Sequence, residues 1–144
     1  MIRVHGTCVA VAGSGVLLRG PSGSGKSDLA LRLIDGGARL VADDQVTIER
    51  EGDRLLTSPP AAIAGKLEVR GVGILSVEHR AAVPLVLVVD LVAAEAVERL
   101  PEAESVELLG CAIRRLALNP WEASAAAKVR LAVGSPTGNI IPIP

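Results

Sequence analysis

The stretch that most constrains this chain is Gly20-Pro21-Ser22-Gly23-Ser24-Gly25-Lys26-Ser27. It is a complete G-x-x-x-x-G-K-[ST] loop, whose glycines let the backbone curl until successive N–H groups face one anion. Such a loop needs a strand to deliver it and a helix whose first turn adds free N–H groups and a positive dipole end. Both flanks meet that need. Val16-Leu17-Leu18-Arg19 is an apolar run of strand type. Beyond the loop, Leu29, Ala30, Leu33 and Ile34 share one side of a helix that Gly36 and Gly37 end. The chemistry is that of nucleoside triphosphate binding. Gly20 to Gly25 would cradle the phosphates, Lys26 would reach the β- and γ-phosphates, and the Ser27 hydroxyl would ligate Mg²⁺.

The rest of the composition sets the frame. A chain of 144 residues with 49% apolar residues is long enough for one domain with a real core. One Trp and no Phe or Tyr mean that Val, Leu, Ile and Ala must build that core. This suits a buried sheet under helices better than a base-stacking surface for single strands. The expected fold class is therefore α/β: a single domain with a mixed β-sheet flanked by helices and bearing the phosphate loop. Residues 1–133 form that domain and residues 134–144, rich in Gly and Pro, a flexible tail.

A net charge of −1 provides no basic field for nucleic acid or for a membrane surface. The longest apolar run, residues 83–94, is too short to span a bilayer and is broken by Asp90. Cys8 and Cys111 lack metal-site spacing, and no segment reads as a signal peptide, so buried free thiols in a cytoplasmic protein are expected.

In chain order, residues 2–12 read as a first strand, with Ser14-Gly15 as the turn into the strand that carries the loop. Residues 38–42 form a second strand that ends in Asp43-Asp44. Residues 45–50 and 55–57 form a hairpin, so the sheet is not purely parallel. Residues 85–90 form a buried strand, 93–100 a short helix, and 106–109 and 112–118 two strands. Asn119-Pro120 opens a last helix over residues 121–133.

Four places carry candidate chemistry. His5 lies a strand length before the loop, as a polar group at the γ-phosphate or as a half-buried strand histidine. Adjacent carboxylates at Asp43 and Asp44 fit a proton acceptor with a metal-orienting neighbour, against a solvated turn. Glu68 and Arg70, within Leu67-Glu68-Val69-Arg70-Gly71-Val72-Gly73-Ile74, fit a metal ligand and an anion clamp, against a surface pair beside a bend. Asp90, closing the run Leu85 to Val89, matches a Walker B acid and competes with the pair at 43–44 for the metal.

Together these motifs resemble the catalytic domain of the HPr kinase/phosphorylase family, which acts on a seryl residue of the phosphocarrier HPr. The resemblance covers most of residues 4–100. It rests on Val4-His5-Gly6, the loop from Gly20 to Ser27, Gly37 to Asp44, and the signature-like segment Leu67 to Ile74. It looks like the short α-proteobacterial-type members, with the catalytic domain only. It implies that His5, Lys26, Asp43, Asp44 and Arg99 are catalytic, that the pair at 43–44 takes the serine proton, and that Ser27 and Glu68 hold Mg²⁺. The chain lacks the family's Phe-Gly-Ala-Gly-type segment after Ser76. The Pro-Val-x-x-Gly-Arg loop tied to dephosphorylation appears here as Leu118-Asn119-Pro120-Trp121-Glu122-Ala123.

The implied activity is an ATP- and Mg²⁺-dependent protein serine kinase acting on HPr or an HPr-like phosphocarrier. Phosphorolysis of the phosphoseryl product is the accompanying reaction, and a homo-oligomer, hexameric by family resemblance, the assembly. Two other readings stand beside it: a small-molecule kinase using Asp90 as Walker B, and a nucleotide-binding regulator without catalysis.

Overall fold

The computed structural model describes residues 1–134. The expected tail, from residue 135 on, lies outside the described residues. The chain folds into strands β1 (Ile2–His5), β2 (Thr7–Val11) and β3 (Ser14–Arg19), helix α1 (Lys26–Asp35), and strands β4 (Arg39–Ala42), β5 (Gln45–Glu51) and β6 (Arg54–Ser58). The hairpin β7 (Lys66–Val69) and β8 (Gly73–Ser76) follows. Strand β9 (Val83–Leu91), hairpin β10 (Glu104–Leu108) and β11 (Cys111–Leu118), and helix α2 (Ala125–Ala132) complete it.

This corrects the expected fold class. The protein is mostly β: a nine-stranded, strongly curled half-barrel sheet with two helices among the described residues, not an α/β sheet flanked by helices. The reason lies in how the second face is covered. Strands β2, β3 and β9 are buried on both faces, as their near-continuous apolar runs require. On one face Val9, Val16, Leu18, Leu87 and Val89 pack under Leu29, Ala30 and Leu33 of α1 and Ala125, Ala126 and Val129 of α2. The other face has no helix. Cys8, Ala10, Leu17 and Val88 pack there against Val46, Ile48 and Leu55 of β5 and β6, so the sheet curls over to cover its own face without closing. A run buried on both sides looks the same in sequence whether a helix or another strand covers it.

Strand β9 is the hub. It runs parallel to β3 and to β11, and its first residues pair antiparallel with β6. The expected first strand over residues 2–12 breaks at Gly6. β1 pairs with β5, whereas β2 pairs with β3 and β4. A Cβ on Gly6 would sit 2.8 Å from the Leu18 carbonyl oxygen, so the chain can pass this point only as glycine. The turn into β3 falls at Ala12-Gly13, just before the expected Ser14-Gly15.

Two expected helices shrink. Residues 93–100 hold a single 3₁₀ turn, Ala94–Ala96, and the last helix begins at Ala125, not next to Pro120. Among the described residues no helix is long and apolar enough to cross a membrane.

Candidate active site at the phosphate loop

The loop connects β3 to α1 as its motif demands. Gly23 and Gly25 have φ of +81° and +97°, left-handed values that glycine adopts without strain. Leu29, Ala30 and Leu33 are buried on the inner side of α1, and Gly36 and Gly37 close the helix through N–H bonds to the Arg32 and Ile34 carbonyls. Lys26 is itself buried and curls back over the loop. Its Nζ donates to the carbonyl oxygens of Gly20 (2.7 Å) and Pro21 (3.0 Å).

The acids reach the loop through a seam in the sheet. The chain passes between the two halves of the curl twice, at Gly6 between β1 and β2 and at Asp43-Asp44 between β4 and β5. The two crossings are opposite one another: the Gly6 N–H donates to the Asp44 carbonyl oxygen at 3.0 Å. Asp44 makes its corner with φ +73°, a left-handed value that aspartate tolerates better than most residues. The residues flanking each crossing therefore meet in pairs. Thr7 Oγ1 donates to Asp43 Oδ1 at 2.9 Å, and His5 Nε2 lies 3.3 Å from Asp44 Oδ1.

Asp43 is also the link to the loop. Its Oδ1 accepts the Ser27 hydroxyl at 2.9 Å, and its Oδ2 accepts the Glu68 backbone N–H at 3.3 Å. Asp44 is by contrast exposed at the mouth, beside His5. His5, Lys26, Ser27, Asp43, Asp44, Glu68 and Arg70 line one cleft of about 580 Å³ with Thr7, Ser22, Gly23, Gly25 and Trp121.

Mg²⁺ suits this donor set. The Ser27 hydroxyl and the Asp43 carboxylate are hard oxygens in contact, and Glu68 lines the same cleft. Among the described residues no three His, Cys, Asp or Glu side chains converge as a closed metal cage. Mg²⁺ is usually held by one or two protein oxygens together with phosphate oxygens and water.

The remaining candidates lie elsewhere. Arg99 follows the 3₁₀ turn on an exposed segment and does not border the cleft; Arg70 does. Asp90 is committed to two arginines. Arg19 donates to it through Nε (2.8 Å) and Nη2 (3.0 Å), and Arg115 through Nε (2.7 Å). Burial works against its charge, but the two guanidiniums outweigh that and hold the carboxyl below the usual carboxylate range. Two residues of the cleft were not among the sequence's site candidates. Thr7 is fully buried and looks like any strand threonine, and Trp121 read as the first residue of a helix.

The loop has the sequence pattern of a phosphate-binding turn and opens on a cleft edged with carboxylates. The chain belongs to the HPr Serine kinase C-terminal domain family, whose model matches residues 1–120. It is 51% identical over 78 residues to the HPr kinase/phosphorylase of Exiguobacterium sp., and 53% identical over 78 residues to that of Caldanaerobacter subterraneus subsp. tengcongensis. Each match covers 54% of this chain but only 25% or 26% of the relative, so the aligned part is about a quarter of those enzymes. The solved structure of the Hpr(Ser) kinase/phosphatase from Coxiella burnetii aligns with a TM-score of 0.83, covering 93% of this chain and 95% of that one. At 24% identity that likeness speaks for the fold alone.

Proposed function

We propose that this chain transfers the γ-phosphoryl group of ATP, with Mg²⁺, to a seryl hydroxyl of HPr or an HPr-like phosphocarrier. The observation that carries this is the Asp43–Ser27 contact of 2.9 Å with Asp44 next in the chain, which sets a pair of acids at the edge of the phosphate loop. The loop amides and the first turn of α1 would grip the phosphates, and the Lys26 ammonium would exchange its two carbonyl partners for phosphate oxygens. Mg²⁺, when bound, would neutralise charge on the β- and γ-phosphates.

The two acids then divide the remaining tasks. Asp43, fixed by Thr7, Ser27 and the Glu68 N–H, orients the metal side of the site. Asp44, exposed and beside His5, takes the proton as the seryl oxygen attacks the γ-phosphorus and the bond to ADP breaks. In the reverse sense, an oxygen of inorganic phosphate attacks the seryl phosphorus. The serine oxygen then leaves with a proton returned by Asp44, and pyrophosphate is the product. Arg70 at the cleft, or Arg99 as the resemblance implies, would steady the equatorial oxygens. Self-association is part of the proposal, and sedimentation measures it.

The test is incubation of the purified chain with Mg·ATP and candidate carriers, read as the intact mass of the carrier, with excess phosphate added to probe the reverse step. Asp43→Asn and Asp44→Asn should each lower transfer by roughly 10²-fold or more while nucleotide still binds. Asp90→Asn should cost far less, since Asp90 already serves two arginines. Transfer lost in Asp90→Asn but kept in both other variants would favour the small-molecule kinase. Nucleotide binding with no transfer to any acceptor would favour the regulator.

A further inference from the structure

We infer that Trp121 is the stacking platform for the base of the nucleotide whose phosphates the loop holds, an inference that rests on the nucleotide reading above. This chain builds its core without Phe or Tyr, so its one Trp is the largest apolar side chain available for burial. The fold leaves that side chain 64% exposed. It also borders the same cleft as Gly25, Lys26 and Ser27.

The ring is seated against the loop. A Cβ built on Gly25 would lie 3.2 Å from the Trp121 Cη2 and 3.0 Å from the Pro120 Cγ. An aromatic face next to the phosphate nest is within reach of a base attached to a phosphate chain bound there. The chain has no Phe or Tyr to compete for the role.

The mounting is rigid. Arg32 of α1 donates to the carbonyl oxygens on both sides of the tryptophan, those of Pro120 and Glu122. The Trp121 N–H donates to Asn119 Oδ1 at 3.1 Å, and Glu122 is paired with Lys128 of α2 at 2.6 Å. Helix α1 thus presents the phosphate-binding turn at its start and anchors the tryptophan segment nearly two turns later, through Arg32. A platform held in place before binding loses little freedom when a base stacks on it.

The experiment measures binding of ATP and of tripolyphosphate, each with Mg²⁺, to the wild type, Trp121→Ala and Trp121→Phe. Trp121→Ala should weaken ATP about tenfold and leave tripolyphosphate within about twofold, with Trp121→Phe recovering most of the loss. Tryptophan fluorescence of the wild type should be quenched by ATP and little changed by tripolyphosphate. Equal weakening of both ligands would make the ring a mere support of the loop and overturn the inference. Unchanged ATP binding with a raised KM for the carrier would overturn it too, assigning the ring to the protein substrate. The expected binding pattern with no carrier phosphorylated would sink the kinase reading and leave this one standing. A wild type that binds neither ligand would remove both.

Discussion

Gly25 shows how much one missing side chain can support. It ends the phosphate loop with φ +97°, caps α1, and lies against Pro120 and Trp121 closely enough that a Cβ would crowd both. Gly25→Ala therefore meets a conformational penalty of about 1–2 kcal/mol and a steric one besides. The expected outcome is a Tm lower by a few degrees, seen in a thermal melt, and a loss of ATP affinity that Trp121→Ala does not repair. Gly23, with φ +81° but open space around it, should show the conformational penalty alone. Asp43 makes the complementary point: one carboxylate joins β2, the loop and β7 because Thr7, Ser27 and the Glu68 N–H all converge on it.

At the scale of elements, the ends of β3 and β9 are tied to the middle of β11 just ahead of the loop. Asp90 binds both Arg19 and Arg115 across the three strands, and Glu104 of β10 extends the group through Arg115 at 2.8 Å. Asp90 has its pKa lowered in the fold, so its contribution is present above the unfolded carboxylate value and is lost as pH falls through the folded value. Asp90→Asn should cost about 2 kcal/mol near neutrality, the worth of hydrogen bonds to a charged group. The gap between wild type and variant in urea midpoint should stay level down to about pH 4 and close below it. A gap that persists to strongly acid pH would mean that packing, not charge, ties these strands.

At the scale of the whole molecule, the described residues enclose two apolar cores, one under the helices and one inside the curl of the sheet, and both free thiols belong to the second. Burial pushes the Cys8 thiol up to about 12, against the weaker pull of its bond to Thr57. Near pH 8 a thiol so placed is neither accessible nor ionised. Labelling by a disulfide reagent should therefore wait for unfolding, with Cys8 and Cys111 reacting at the same denaturant midpoint that circular dichroism reports. Cys111 reacting well before that point would show the β10–β11 hairpin opening independently of the curl.

Much of the site was legible in the chain itself. The loop, the helix behind it and the break at Gly36-Gly37 are set by neighbours in sequence, because glycine conformation, helical spacing and capping act over a few residues. Local order also placed Asp43 and Asp44 at a strand end. What local order could not supply was the partner of each buried face. Alternation and apolar runs tell which residues leave water, not whether a helix or a returning strand meets them, so an expected α/β sheet is a curled half-barrel. The same limit hid the assignments of the acids: Asp90 matched a metal-binding pattern until two arginines distant in sequence claimed it. The sequence by itself determined where a loop of the phosphate-binding pattern would form, since that loop is made by one short run of backbone. Only the tertiary structure decided which side chains surround it, since the crossings at Gly6 and Asp44, 38 residues apart, had to meet in space.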